Sequence, residues 1–278
     1  MRIDVSIRDD ESLSETAVQI RVTRALGLSM PRIAHVPEIV GIDGARFGKR
    51  HGAATAQSFR RLGYHPRALA NFLVGLSWSH PDGLERFDPA TLDRDFARSP
   101  IRREPAVFDF KVLNRISAET IREESPDFLL DRVYPYLLEG GFIDEGGDRA
   151  RLRQVVAVCR EHLSCLSEIV KYADIFFGET FIEPKERKLL KRESSRQILV
   201  AFRERVVRMT DLDAEGFRRT IAEVQRETRA TRESVLLTLR LALTGQNVGP
   251  DVSEVAPVLG ARACAEKVER ALHLAHQA

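Results

Sequence analysis

Apolar residues recur along most of this chain at intervals of three and four, the spacing that gathers them on one face of an α-helix. The opening is different. Ile3-Asp4-Val5-Ser6-Ile7 alternates apolar with polar and predicts a short strand over 3–7. A helix is expected over 14–26, with Ser14 placed to cap it and Gly27 to stop it. Residues 31–40 read as extended, and 42–52 as a loop rich in glycine and basic residues. From Thr55 the pattern turns helical. Helices are expected over 56–62 and 66–76, with Pro66 in the first turn of the second, where its missing N–H costs nothing. Leu69, Phe72, Leu73 and Leu76 would form the apolar stripe of that helix. Short helices are expected near 89–97, 109–115, 117–124 and 126–139. Gly140-Gly141 and Gly146-Gly147 then bracket a loop that reads as a domain boundary.

Beyond it, Leu152, Val155, Val156, Cys159, Leu163, Leu166, Ile169, Val170 and Ala173 predict one long amphipathic helix over 148–177, with at most one break. Further helices are expected over 184–208, 213–228, 231–244, 251–259 and 261–275, with Asp213 and Thr231 as caps. There is no internal repeat and no alternating pattern of the kind a β-barrel needs. The fold class is therefore mostly α. Its α/β start, 1–54, resembles the second half of a nucleotide-binding domain without the first half. Residues 55–145 form a helical region, and 146–278 an all-helical domain.

Composition narrows the class. The chain has 278 residues, 43% hydrophobic and 30% charged, which suits a soluble globular protein of more than one domain. No apolar run approaches the roughly 18 residues of a membrane span, so no membrane partner is expected. The start, M-R-I-D-V-S-I-R-D-D, lacks the apolar core of a secretory signal. The three cysteines, Cys159, Cys165 and Cys264, are odd in number and show no metal-ligand spacing. A reduced, cytoplasmic protein without a metal site is the expectation, with Cys159 and Cys165 in a core. Net charge is only +2, but Lys185, Arg187, Lys188, Lys191, Arg192 and Arg196 crowd together, followed by Arg203, Arg205, Arg208, Arg218 and Arg219. Such a run attracts phosphates or simply solvates a helix face, and charge alone leaves both open.

The chemistry concentrates in Gly41-Ile42-Asp43-Gly44-Ala45-Arg46-Phe47-Gly48-Lys49-Arg50-His51-Gly52. Glycines let backbone approach an anion, and three cations fall within five residues: a design suited to clamping a polyphosphate, or a basic surface turn. The stretch resembles the KMSKS loop of class I aminoacyl-tRNA synthetases. Glutamyl enzymes read G-x-K-L-S-K-R-H-G-A there, and this chain reads G-A-R-F-G-K-R-H-G-A. Downstream of the loop, F-R-R-L-G-Y-H-P-R-A-L-A-N-F-L-V-G-L-S-W-S is similar to the glutamyl family's Y-x-x-x-G-Y-L-P-E-A-L-x-N-Y-L-x-x-L-G-W-S. Upstream of it, S-I-R-D-D-E-S-L-S-E-T-A-V-Q-I-R-V-T-R-A-L-G is similar to the family's V-I-R-G-E-D-H-L-S-N-T-x-x-Q-I-L-L-Y-R-A-L-G. P-A-V-F-D-F-K-V-L-N, L-R-L-A-L-T-G-Q-N-V-G-P and then L-G-A-R-A-C-A-E-K-V-E-R-A-L continue the likeness through the helical domain.

The resemblance implies roles residue by residue. Lys49 would meet ATP phosphates. Arg46 replaces the motif's first lysine, Gly48 its serine, which is expected to loosen the loop, and Arg50 adds charge. Arg8 would pair with the carboxylate of a substrate glutamate, or else with Asp9, Asp10 or Glu11. Lys111 and Arg115 fall in the stem-contact region. Arg153, Arg160 and His162 lie near the family's anticodon-reading arginines, and Arg240, Thr244 and Pro250 lie in the segment that approaches the anticodon. The family's HIGH motif and acceptor-end insertion have no counterpart in these residues. The resemblance thus implies a truncated glutamyl-tRNA synthetase-like protein that binds tRNA, of the glutamate type, without aminoacylating it alone. No cofactor would be required, with ATP as a ligand of the loop. Two alternatives stand: the C-terminal part of a split ligase completed by a HIGH-containing partner chain, and a helical protein-interaction module derived from the synthetase.

Overall fold

The computed structural model describes residues 3–52 and 55–276, so Ala53, the last residue of the loop motif, lies outside the described residues. The chain divides into two compact units, Met1–Thr120 and Ile121–Ala278.

The first unit opens with a βαβ arrangement. Strand β1 (Val5–Asp9) runs parallel to β2 (Arg32–Val36), in register from Val5 opposite Arg32 to Asp9 opposite Val36. The strand sits two residues later than its alternation predicts. Helix α1 (Leu13–Ala25) joins the two and ends at Gly27, whose φ of +67° suits glycine. Ser12, not Ser14, occupies the N-cap, and its hydroxyl donates to Asp9 Oδ1 at 2.7 Å instead of capping the helix. A second parallel pair, β3 (Ile39–Val40) with β4 (Ala106–Val107), brackets α2 (Ala56–Arg61), α3 (Pro66–Ser77) and α4 (Leu92–Phe96).

Helix α3 starts with Pro66 in its first turn, but its buried face is Ala68, Asn71 and Phe72, while Leu73 is 45% exposed. The stripe is rotated because Asn71 is satisfied inside the fold. Its Nδ2 donates to the Arg67 carbonyl and its Oδ1 accepts from Phe87 N–H, both at 2.9 Å. An aromatic core holds this unit. Phe108 stacks on Phe47 at 4.0 Å and meets Phe72 edge-on at 4.8 Å, and the Trp78 indole donates to the carbonyls of Phe96 and Ser99. Helix α5 (Phe110–Glu123) is continuous where two short helices were expected, and Ile116 and Ser117, at the expected break, are both buried.

The second unit is all helical: α6 (Pro126–Glu139), α7 (Arg149–Cys159), α8 (Val170–Phe176), α9 (Pro184–Leu190), α10 (Glu193–Val206), α11 (Ala214–Thr228), α12 (Arg232–Thr244) and α13 (Val252–His276). Leu129, Val133 and Leu137 share one core with Leu152, Val155, Ile198, Phe202, Leu239 and Val255, so this core runs on across the glycine-bracketed loop at 140–147. Asp213 and Thr231 cap α11 and α12 through hydrogen bonds from Gly216 and Ser234 N–H. The helix expected over 184–208 is two, because Arg192 takes an extended ψ of 139° between α9 and α10. Gly260, at φ 78° and ψ 166°, kinks α13 between the two helices expected there. All three cysteines are buried and free, and burial pushes the Cys159 and Cys264 thiols up to about 12.

The helix expected over 148–177 breaks after Cys159. A 3₁₀ turn at Arg160–His162 leads to an extended Leu163, and a second turn at Leu166–Ile169 restarts the helix. Glu168 holds this restart. Its Oε2 accepts from the Ser164 and Cys165 amides at 2.7 and 3.1 Å, and its Oε1 from Lys171 at 2.6 Å. Burial pushes the Glu168 carboxyl up, but the Lys171 ammonium and the two amides outweigh it and leave it below its ordinary 4.5. A carboxylate lowered in the fold stabilises fully above its unfolded value and loses that contribution as acid protonates it. The urea midpoint should therefore fall more steeply below pH 4.5 in the parent protein than in Glu168→Gln. Equal slopes would show that the restart does not depend on the charge.

Candidate functional site

The glycine-rich loop is folded by its own backbone. Gly41 N–H donates to Ala45 C=O at 2.8 Å, Gly44 N–H to Gly41 C=O at 2.9 Å, and Phe47 N–H to Ile39 C=O at 2.8 Å. A Cβ on Gly41 would lie 2.6 Å from His51 Nε2 and 2.7 Å from Asp43 Oδ1, so only glycine leaves room for this pair. His51 Nδ1 accepts from Gly48 N–H at 3.1 Å, which puts the ring proton on Nε2, 3.1 Å from Asp43 Oδ1. The Ala45 amide, followed by His51, holds the Asp43 carboxyl below its ordinary range. Residue type alone did not single out Asp43 or His51, although both stand inside the loop motif. The stacking of Phe47 on Phe108 anchors the same loop to the aromatic core.

Within this frame the cations differ. Arg46 is surrounded by acids: Glu11 on Nη1, Asp9 Oδ2 at 3.3 Å from Nη2, and Glu38 Oε1 at 3.7 Å from Nε. Arg50 Nη2 donates to the Arg46 carbonyl at 3.2 Å. Lys49 is exposed, and its ammonium has no ion pair or hydrogen bond among the described residues. Gly48 has an extended φ of −172°, and a Cβ there would meet nothing within 4 Å. Gly48→Ser should therefore fold with a thermal midpoint within about 2 °C of the parent, as expected for a substitution into open space worth at most ~0.5 kcal/mol. A drop of several degrees would mean that the loop needs glycine there.

Arg8 projects from β1 onto neutral partners rather than carboxylates: Ser6 Oγ at 3.2 Å, Thr16 Oγ1 at 3.1 Å and Gln19 Oε1 at 2.5 Å. Its acidic neighbour is used elsewhere. Asp9 accepts from Ser12 and pairs with Arg46, and the Ser12 hydroxyl is the main cause that holds its carboxyl low. On α5, the Lys111 side chain is exposed without a partner among the described residues. Arg115 is engaged by Glu85, at 2.8 and 3.1 Å, and by Glu119.

In the second unit, residues far apart in sequence converge. Arg240 Nη1 donates to the carbonyls of Gly249 and Pro250 at 2.9 and 2.6 Å, fastening the loop after α12. Buried Thr244 donates to Arg240 C=O at 2.7 Å and accepts from Gln246 N–H at 3.2 Å. The same loop passes Tyr172, whose Cε1 lies 3.8 Å from the position of a Cβ on Gly249. The exposed His162 ring lies 6.1 Å from the Tyr172 ring. Tyr172 escapes a sequence reading because an aromatic at helical spacing reads as core. Beside this patch, a cavity of about 390 Å³ is lined by Lys171, Phe181, Asn247 and Val248 among others. Arg160 lies in the helix break, its Nε 3.5 Å from Glu161 Oε1. Arg153 pairs instead with Asp127 of α6, at 2.7 Å. Among the described residues no His, Cys, Asp or Glu cluster could hold a metal ion, and no helix is long and apolar enough to cross a membrane.

Comparison with known proteins adds to this geometry. Residues 1–115 match the family described as tRNA synthetases class I (E and Q), catalytic domain, and residues 128–272 match the anticodon binding domain family. The glutamate–tRNA ligase of Heliobacterium modesticaldum is 35% identical over 280 residues, covering 99% of this chain and 56% of that protein. Glutamate–tRNA ligase 1 of Caldicellulosiruptor saccharolyticus is 34% identical, covering 97% and 56%. Among solved structures, a glutamate tRNA ligase from Elizabethkingia meningosepticum in complex with its amino acid aligns with a TM-score of 0.83 at 20% identity, over 98% of this chain and 57% of that one. That likeness bears on the fold alone. The chain spans a little over half the length of the curated relatives it matches, and it belongs to the glutamate–tRNA ligase family.

Proposed function

We propose that this chain binds tRNA, of the glutamate type, through its second unit, and that these 278 residues alone do not attach glutamate to it. The convergence of His162, Tyr172, Arg240, Thr244 and the 246–250 loop carries the reading. The exposed His162 ring and the half-buried Tyr172 ring, beside backbone carbonyls and amide side chains, suit unpaired bases of an RNA loop, which are recognised by stacking and by hydrogen bonds to their edges. On this reading Lys111, exposed in the first unit, adds backbone affinity without sequence information. The first unit supports the second half of the proposal. Arg46, where a polyphosphate needs free cations, is already neutralised by Asp9, Glu11 and Glu38, and a bound triphosphate would meet those carboxylates. A gel shift tests the binding: glutamate tRNA should be retained at least 10-fold more tightly than an unrelated tRNA. Equal retention would overturn it.

Two observations favour a second reading, in which the chain works as part of a ligase completed by another polypeptide. Lys49 has no partner among the described residues, and Arg8 is held by neutral groups that a substrate carboxylate could displace. On that reading ATP is a ligand of the loop through Lys49 and Arg50.

A further inference from the structure

Helix α13 supplies no side chain to the RNA-binding patch, but it grips the segment beside that patch. Lys267 of α13 donates from its ammonium to Thr180 Oγ1 at 2.6 Å and to the Gly178 carbonyl at 3.4 Å, 87 and 89 positions back along the chain. The side chain is half-buried, and that burial, followed by the Arg270 charge, holds its ammonium below the ordinary lysine range. An ammonium withdrawn from water needs hydrogen bonds in place of its hydration, and here they go to the 178–182 strip. Thr180, itself buried, passes the contact on: its hydroxyl donates to the Leu243 carbonyl at 3.3 Å. That carbonyl lies in the last turn of α12, where backbone acceptors have no partner inside the helix.

The strip and the loop after α12 are in contact as well. Gly245 turns the chain with the Phe181 carbonyl 2.2 Å from the position of a Cβ, and the Thr180 methyl 3.0 Å from it. At its far end the strip is tied by Arg187, whose Nε donates to the Ile182 carbonyl at 2.9 Å. The Phe181 side chain stands out from it, 71% exposed, on the wall of the cavity that it shares with Asn247 and Val248. A second link from α13, Arg270 Nη1 to Glu179 Oε1 at 3.5 Å, joins exposed groups and contributes little. We propose that Lys267 is a positioning residue for RNA binding: through Thr180 it fixes the end of α12 and the start of the 246–250 loop, and it does so without touching the RNA. Two of its three donors are spent on Thr180 and Gly178, so its part is to hold the loop rather than to meet a phosphate. The proposal rests on the tRNA-binding reading above.

The test is a double-variant cycle read by binding isotherms with glutamate tRNA at several salt concentrations. Lys267→Met and Thr180→Val each remove one end of the hydrogen bond, and Thr180→Ser keeps it. We expect each of the first two to lower affinity about 10-fold, as for a lost hydrogen bond to a charged group, with the salt slope unchanged. Together they should still cost about 10-fold, where independent effects would multiply to about 100-fold. Thr180→Ser should stay within about 2-fold of the parent, and so should Arg262→Met, which removes a charge from the same helix at a side chain that is 93% exposed. Amide exchange without RNA reads the positioning directly: Lys267→Met should speed exchange over residues 245–249 and leave 198–202 of α10 as they were. Should exchange rise throughout the unit, the contrast between Thr180→Val and Thr180→Ser decides. Unchanged affinity or unchanged loop exchange in Lys267→Met would overturn the proposal, as would multiplying effects. A salt slope reduced by about one would do the same, since the lysine would then meet a phosphate itself. If the parent retains glutamate tRNA no better than an unrelated tRNA, the proposed function falls, and the exchange measurement alone decides whether Lys267 sets the loop.

Discussion

Gly245→Ala should destabilise the helical unit by about 2–4 kcal/mol, a larger effect than any surface substitution should produce. Two costs add at this residue. Gly245 ends α12 with a φ of +75°, a left-handed conformation that alanine adopts only with strain. A Cβ would also lie 2.2 Å from the Phe181 carbonyl oxygen, a backbone atom that cannot swing aside as a side chain can. The segment around Phe181 is held from another side by Lys267, whose ammonium donates to Thr180 Oγ1 at 2.6 Å. Relief would therefore require moving either the start of the 246–250 loop or the 178–182 strip. Urea unfolding followed by far-ultraviolet circular dichroism measures the effect. A change below about 1 kcal/mol would show that the close approach is not maintained in solution, and tRNA affinity should fall with stability because the same loop forms the proposed binding patch.

Arg240→Met should lower tRNA affinity by 10- to 100-fold at a moderate cost in stability, on the order of 1–3 kcal/mol for carbonyls left without their donors. The guanidinium is spent inside the protein: Nη1 bridges the Gly249 and Pro250 carbonyls and so shapes the loop that passes Tyr172. This makes Arg240 a positioning residue in the free protein, and it separates two explanations of its importance. If positive charge alone matters, Arg240→Lys restores binding. If the position of Nη1 matters, lysine, whose one ammonium sits on a differently shaped stem, does not bring its nitrogen to the same point between the two carbonyls, and affinity stays at least 5-fold below the parent. Binding isotherms at several salt concentrations distinguish the cases. A positioning defect lowers affinity with an unchanged salt slope, whereas loss of a phosphate contact reduces the slope by about one.

The helices were largely legible from apolar spacing, because in the second unit nearly every stripe faces one core and no ligand competes for it. The breaks were less so. The 160–169 interruption contains neither proline nor glycine, and its restart rests on Glu168 reaching back to two amides past a cysteine, where the usual signature has serine or threonine. The rotated face of α3 depends on Asn71 finding Phe87, sixteen residues on, which no local pattern announces. The site was legible in its residue types and less so in their engagements. Sequence places Arg46 and Arg115 as free cations, but folding brings carboxylates to both from 30 or more positions away. Lys49 and Lys111 are left exposed. Gly41 and His51 were visible in the motif, yet their role follows only from the 2.6 Å that a side chain on Gly41 would have to occupy.

Binding without charging is the central claim for these residues. The direct measurement incubates the purified 278-residue protein with glutamate tRNA, ATP and labelled glutamate, and reads retained RNA and acid-precipitable label from one sample. We predict RNA retained on the protein and label at background. Labelled tRNA, or RNA released as freely as an unrelated tRNA, would contradict it.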